Sequence, residues 1–261
     1  MNVKNNFFTK KTPEKIIMNY CNVVRQGVTN RWKLFNLDLS KMEFFEVIGG
    51  LLGRQGNLAI QFAKSPLIWN PDIAPLVYRT QIDNYINLAW ILENDSDIRA
   101  KSFVLYGLGQ EKLEIEHLES LENKNTATKQ YIHARKEWLN EQLFDFFTEV
   151  NLGSWSGTNM RVMAQEANCL DLYNYAYVPF SAAIHNMWTH IARYDLRKCK
   201  NSLHKKHRIP LVNKKYDPNF DDLLISAEYI QKSYSLIDKK LKITCHVPLP
   251  YNYLFHLLEE N

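Results

Sequence analysis

The sequence predicts an all-α protein, a multi-helix bundle of six to eight helices with a long helical hairpin, on three observations. Apolar residues recur at helical spacing through several long segments. Glycine and proline number nine each in 261 residues, too few for a many-turned β protein. Helix-start residues precede several of the apolar segments. Hydrophobic residues at 46% and charged residues at 23% are ordinary for a chain that buries a core.

In order along the chain, Thr12-Pro13-Glu14 opens a helix with Thr12 as N-cap and Pro13 at the first helical position. It is expected to run to about Arg25 and to stop near Gly27. Ser40, with Glu43 three residues later, reads as a capping box. It leads into Met42 to Ala63, where Phe44, Phe45, Ile48, Leu52 and Phe62 keep helical spacing. Gly49, Gly50, Gly53 and Gly56 interrupt that segment, and each costs about 1 kcal/mol relative to Ala in an exposed helix. Either a kink or an unusually close neighbour is therefore expected. No phosphate-binding loop is present, because the strand and the lysine such a loop needs are missing.

Asn70-Pro71-Asp72 starts the next helix, Ile73 to about Glu93, with Tyr78, Ile82, Tyr85, Ala89 and Leu92 on its apolar face. Arg79 and Asp83 stand four residues apart at the border of that face. They read either as a surface ion pair or as a partly buried pair facing a later helix. Asp95-Ser96-Asp97 opens a charged helix to about Asn123, and Thr126 opens another to about Val150 that carries Leu139, Leu143, Phe146 and Phe147. Together these two make the expected antiparallel hairpin. A loop then leads to a short helix carrying Arg161, Met163 and Ala164.

The chain's most distinctive stretch is Tyr173 to Tyr194, read as one helix capped by Asp171. Tyr173, Tyr177, Ser181, His185 and Thr189 recur every four residues, a polar stripe beside Val178, Ala182, Ile184, Met187 and Ile191. Pro179 inside it predicts a freed carbonyl near Tyr175 and a kink beside Ser181. Residues 193–215 then turn basic, with Arg193, Arg197, Lys198, Lys200, His204, Lys205, Lys206, His207, Arg208, Lys214 and Lys215 opposed only by Asp195. That run reads as a solvated loop between helices, or as a patch that contacts the phosphates of RNA or DNA. It holds few aromatics for stacking on single strands. The whole is expected to be one domain, with its core in residues 40–197, a basic linker at 198–216 and a C-terminal helix at 217–243 packing back.

Several chemistries are excluded. Cys21, Cys169, Cys199 and Cys245 form no CxxC pair and read as reduced thiols. Glu114 and His117 make an ExxH pair that a di-iron site would need twice, and no second copy exists. Neither a metal nor another cofactor is expected. The N-terminal segment has no apolar signal-peptide core, and no stretch approaches the roughly 20 apolar residues of a membrane span. A cytoplasmic protein without membrane contact is expected, with a homodimer or a partner protein left open, and the net charge of +4 permits an acidic or nucleic-acid partner without requiring one. A serine hydrolase is disfavoured: Ser181 and His185 are a helical turn apart, but no GxSxG elbow presents the hydroxyl.

Arg79 with an acid four residues on, Trp155, Arg161, and the series Tyr173, Tyr177, Ser181 and His185 resemble the pattern of a bacterial all-helical family known only as a domain of unknown function. The resemblance covers about Phe44 to Tyr194, with Asp83 where Glu would be expected. It implies a helical bundle and a polar pocket built from Arg79, Asp83, Arg161, Tyr177, Ser181 and His185. By family-level analogy it implies an accessory or effector role in a bacterial stress or phage-defence system. The alternative is a ribonuclease similar to the HEPN helical-bundle nucleases, metal-independent and using Arg and His. Arg197 with His204, or Arg161 with His185, would supply that pair.

Overall fold

The computed structural model describes residues 12–142, 153–201, 203, 204, 206–212 and 214–259. The chain is helical apart from one two-stranded sheet among those residues. Helix α1 (Pro13–Leu34) begins as the sequence indicates, with Oγ1 of Thr12 accepting from the Lys15 amide at 3.4 Å and Pro13 in its first turn. It does not stop at Gly27. That glycine lies inside the helix, where a Cβ would sit 2.4 Å from Cε2 of Tyr234, so it serves a close helix approach and not a terminus.

The expected capping box at Ser40 is replaced by a different device. Asp38 accepts from the amide of Ser40 at 2.9 Å and from its hydroxyl at 2.7 Å, closing a 3₁₀ turn, Leu39–Lys41. Helix α2 (Met42–Ala63) follows without a side-chain cap. It is one continuous helix, and two of its four glycines answer to a neighbour. Gly49 faces the Trp32 ring and Gly56 faces Val28, whereas Gly50 and Gly53 have nothing within 4 Å of a built Cβ.

Helix α3 (Ala74–Glu93) is introduced by Asn70, whose Oδ1 accepts from the amides of Asp72 and Ile73 at 3.0 and 3.1 Å. It is buried on nearly every side, Arg79, Gln81 and Asn84 included. Helices α4 (Ser96–Glu119) and α5 (Thr126–Gln142) follow and pack on each other through Leu108, Ile115, Ile132 and Leu139. Arg135 of α5 pairs with Glu111 and with Glu114 of α4. Leu143, Phe146 and Phe147 lie outside the described residues.

Beyond α6 (Met160–Glu166), the segment read as one central helix divides into three pieces, with a one-turn helix just ahead of it. In chain order these are α7 (Leu170–Leu172), a π turn (Tyr173–Tyr177), α8 (Val178–Ile184) and α9 (Trp188–Tyr194). Among the described residues the helices outnumber the expected six to eight. Asp171 lies within α7, whose cap is Cys169 with no side-chain hydrogen bond, so it does not cap the segment. The chain then forms a short antiparallel pair, β1 (Leu196–Lys198) and β2 (Arg208–Pro210), where a linker was expected.

Helices α10 (Phe220–Lys240) and α11 (Pro250–Glu259) close the fold. The core reaches beyond residues 40–197. It joins Tyr20 and Val24 of α1, Ile48 and Leu52 of α2 and Ile82 and Ile86 of α3 to Leu223, Ile230 and Tyr234 of α10. Arg31, fully buried, ties α1 to α10 through a two-pronged pair with Asp238 at 2.9 and 2.7 Å, its guanidinium lying 3.9 Å over the Tyr234 ring. No helix among the described residues is long and apolar enough to cross a membrane.

Candidate functional site

Four of the residues singled out from sequence meet between α3 and the π turn with α8. Nε of Arg79 donates to Oγ of Ser181 at 2.9 Å, and its NH1 pairs with Asp83 one turn along α3. The guanidinium lies flat over Tyr177, 3.1 Å from the ring centroid, and Tyr173 stacks on Tyr177 at 4.6 Å. The hydroxyl of Ser181 in turn donates to the Tyr177 carbonyl at 2.7 Å. Arg79 is buried, and Asp83 stands about one third exposed at the rim.

The π turn explains how these groups meet. The amide of Val178 bonds to the carbonyl of Tyr173, five residues back, which widens the chain by one residue ahead of Pro179. Pro179 falls in the first turn of α8, where no backbone donor is required. The irregularity expected at Tyr175 and Ser181 thus takes the form of a π turn. The Tyr177 ring and the Ser181 hydroxyl both meet Arg79 of α3.

The stripe ends there. Asn186 takes the left-handed conformation at φ 49°, with its amide bonded to Ala183 and the Met187 amide bonded to Ala182, a Schellman stop to α8. His185 and Thr189 are consequently exposed and lie on opposite sides of the break. Arg161 is exposed on α6. The cluster therefore takes up Arg79, Asp83, Tyr177 and Ser181, without His185 and Arg161. Val178, Ile184 and Met187, expected beside the stripe as apolar packing, are exposed by 48%, 38% and 49%. Trp155 packs edge-on against Trp90 and Phe103 at 5.2 and 4.9 Å, a core contact.

This arrangement is electrostatically closed. Burial pushes the Asp83 carboxyl above its usual range against the opposing pull of Arg79. Burial, and then the charge of Asp83, push the Tyr177 phenol up. The Ser181 proton is engaged by a backbone carbonyl. The guanidinium is engaged at Nε, at NH1 and across its face. These groups hold α8 against α3.

The basic run has its own geometry. Cross-strand neighbours are Leu196 with Pro210, Arg197 with Ile209 and Lys198 with Arg208. Arg197, Lys198, Lys200, Lys206 and Arg208 are exposed. Lys214 is not part of this surface, because it bonds Asp72 at 2.8 Å and Asp195 at 3.0 Å. Lys205 lies outside the described residues. The strands fold Cys199, His204 and His207 together, with Sγ of Cys199 3.8 Å from Nδ1 of His204 and the two imidazole centroids 5.3 Å apart. Sequence reasoning passed over this trio by testing cysteines only against each other. The spacing Cys-x₄-His-x₂-His was the available signal.

Two clefts lie away from the Arg79 cluster. One of about 700 Å³ is bordered by Tyr85, Glu93, Glu228, Lys232 and Lys239, and one of about 430 Å³ by Pro71, Pro75, Phe180, Met187, His190 and Arg193. Neither is lined by Arg79, Asp83, Tyr177 or Ser181. In comparisons with known proteins, the family of unknown function DUF5677 matches residues 45–202. No curated protein and no solved structure matches the chain.

Proposed function

We infer, for a chain that belongs to the DUF5677 family of unknown function, a helical accessory or effector protein that holds nucleic acid by its phosphates through the β1–β2 hairpin. The observation that carries this reading is the direct pairing of Lys198 with Arg208 across the two strands. Like charges in that position cost on the order of a few tenths of a kcal/mol when unpartnered, and an anion lying over them turns the cost into a gain. Residues 196–210 hold six Lys and Arg and no acid, while the entire chain has a net charge of only +4. The positive potential is thus focused on one short projection. Backbone phosphates suit such a patch, and the lack of interleaved aromatics favours duplex over single strand.

In this reading the Arg79 cluster is a positioning lock. It fixes α8 on α3 and thereby sets where α9 and the hairpin start. The helical bundle, with α4 and α5 as its long helical hairpin, is the frame. The setting, a bacterial stress or phage-defence system, is carried over from the family resemblance.

The test is binding of short mixed-sequence RNA and DNA duplexes by the purified chain and by Lys198→Glu/Arg208→Glu, across a series of salt concentrations. Expected is at least a tenfold loss of affinity in the double variant. The dependence of log affinity on log salt should also become shallower by about 0.9 for each phosphate contact removed. Equal affinity of the two proteins overturns the reading. Cleavage of the RNA, lost in His204→Ala or in His185→Ala, would replace it with the HEPN-like ribonuclease.

A further inference from the structure

The trio at the tip of the β1–β2 hairpin is a separate matter from nucleic-acid binding and stands on its own geometry. We propose that Cys199, His204 and His207 form a zinc-binding site. Their ligand atoms all lie within 4.8 Å of one another. Zinc binds sulfur at about 2.3 Å and imidazole nitrogen at about 2.0–2.1 Å in tetrahedral geometry, which sets a sulfur and a nitrogen ligand about 3.6 Å apart. Sγ of Cys199 and Nδ1 of His204 stand at 3.8 Å. Rotation of the exposed His207 ring brings the third nitrogen into range.

The backbone already holds the three positions. The Cys199 amide donates to the His207 carbonyl at 3.0 Å, so the first and last ligands face each other where the ladder ends. Between them the His204 amide bonds Asn201 and the His207 amide bonds His204, both at 3.1 Å. Lys206 adopts the left-handed conformation at φ 67°, folding the chain back just ahead of His207. Closing so short a loop costs little entropy.

The donor set selects the ion. One thiolate and two imidazoles suit zinc, whereas magnesium and calcium want oxygen ligands. The surrounding lysines and arginines also work against an ion held by charge alone. On binding, the Cys199 thiol gives up its proton to solvent and the sulfur donates an electron pair to the metal, while both imidazoles coordinate in their neutral form. The ion adds two charges and the thiol loses one proton, so the tip becomes more positive by one. Three protein ligands leave the fourth position to water.

Zinc alone is the probe. The full chain is incubated with excess zinc and desalted, and bound metal is measured. Cobalt(II) titration then reports the ligands by absorption spectroscopy. Expected are one ion per chain and a thiolate-to-cobalt charge-transfer band that Cys199→Ser abolishes. His204→Ala or His207→Ala should each weaken binding at least tenfold. All three positions are at the hairpin tip, outside the core, so far-ultraviolet circular dichroism should be unchanged and any loss assigned to the site. Substoichiometric metal overturns the proposal, as does a band that survives Cys199→Ser, or one lost in Cys245→Ser instead. Zinc should also slow tryptic cleavage after Lys200 and Lys206 in the wild type but not in Cys199→Ser.

Discussion

Nε of Arg79 reaches Oγ of Ser181 at 2.9 Å across 102 positions of sequence, and this bond joins the most buried helix of the fold to the segment that leads into the hairpin. Because the Ser181 hydroxyl donates in turn to the Tyr177 backbone carbonyl, the three groups act as a chain. Arg79→Ala is expected to cost about 3 kcal/mol, since it leaves Asp83 without its partner and the Tyr177 face without its cation. Arg79→Lys keeps the charge but loses the planar fork, and should recover only part of that. A double-mutant cycle with Ser181→Ala, read by urea unfolding, should give a coupling of about 1 kcal/mol. Strict additivity would mean the two residues do not depend on each other.

The pair of Arg31 with Asp238 is the stronger staple, because Arg31 is wholly inside. Asp238→Ala strands a buried guanidinium whose remaining bond is to the Gly27 carbonyl at 3.2 Å. The expected loss is about 3–5 kcal/mol in denaturant unfolding. Replacing both partners with apolar residues, Arg31→Met with Asp238→Leu, should restore most of it. If the double variant is as unstable as the single one, the charge pairing is not what the site supplies.

The glycines separate cleanly by environment. Gly27→Ala would drive a methyl group to 2.4 Å from Tyr234 and should destabilise by about 1–3 kcal/mol. Gly50→Ala and Gly53→Ala meet open space and should each stabilise by about 0.5–1 kcal/mol. Thermal melting of the three variants checks both signs.

Those glycines mark the boundary of what the sequence makes legible. Four of them in one helix announced either a kink or a close neighbour, and the all-helical class followed from periodicity, helix-start residues and the small number of glycines and prolines. Which glycine met a ring depended on residues distant in sequence. Gly27 looked like a helix end for the same reason: Tyr234, its partner, is more than 200 residues away. The polar stripe failed at a local signal, however. Asn186 is one of the few residues at ease in the left-handed conformation, and its place directly after His185 foretold the stop that separates His185 from Thr189. Spacing of four residues brought Tyr177 and Ser181 to one face, but it could not say that Pro179 would be served by a π turn. The hairpin was legible as charge and illegible as structure, since three-residue strands carry almost no periodicity.

Cysteine chemistry gives a prediction with a defined sign. Burial first, and the nearby Glu93 charge second, push the Cys169 thiol up to about 11. Only the thiolate is alkylated, so at pH 8 about one molecule in a thousand is reactive there. Its alkylation by iodoacetamide, followed by peptide mass spectrometry, should rise about tenfold per pH unit and keep rising to near pH 11. A plateau near the ordinary thiol value of about 8.5 would show the group to be solvated. Because the folded value is the raised one, Cys169 stabilises the fold below the ordinary thiol range, and that contribution is lost as pH climbs through about 11.

His185 is the sharpest test of where the site ends. It follows α8, exposed, just before the left-handed Asn186, so its imidazole contributes neither to the Arg79 cluster nor to the core. His185→Ala should change stability by less than about 0.5 kcal/mol, the usual range for an exposed position. Ser181→Ala, one turn earlier, should cost about 1–2 kcal/mol, because it leaves the buried Nε of Arg79 without an acceptor. The two positions stand one turn apart, Ser181 inside α8 and His185 at its C-cap, so their comparison sets the buried contact against an exposed neighbour. Equal losses would mean that His185 folds back onto the cluster. A loss confined to Ser181→Ala fixes the boundary of the lock at the end of α8.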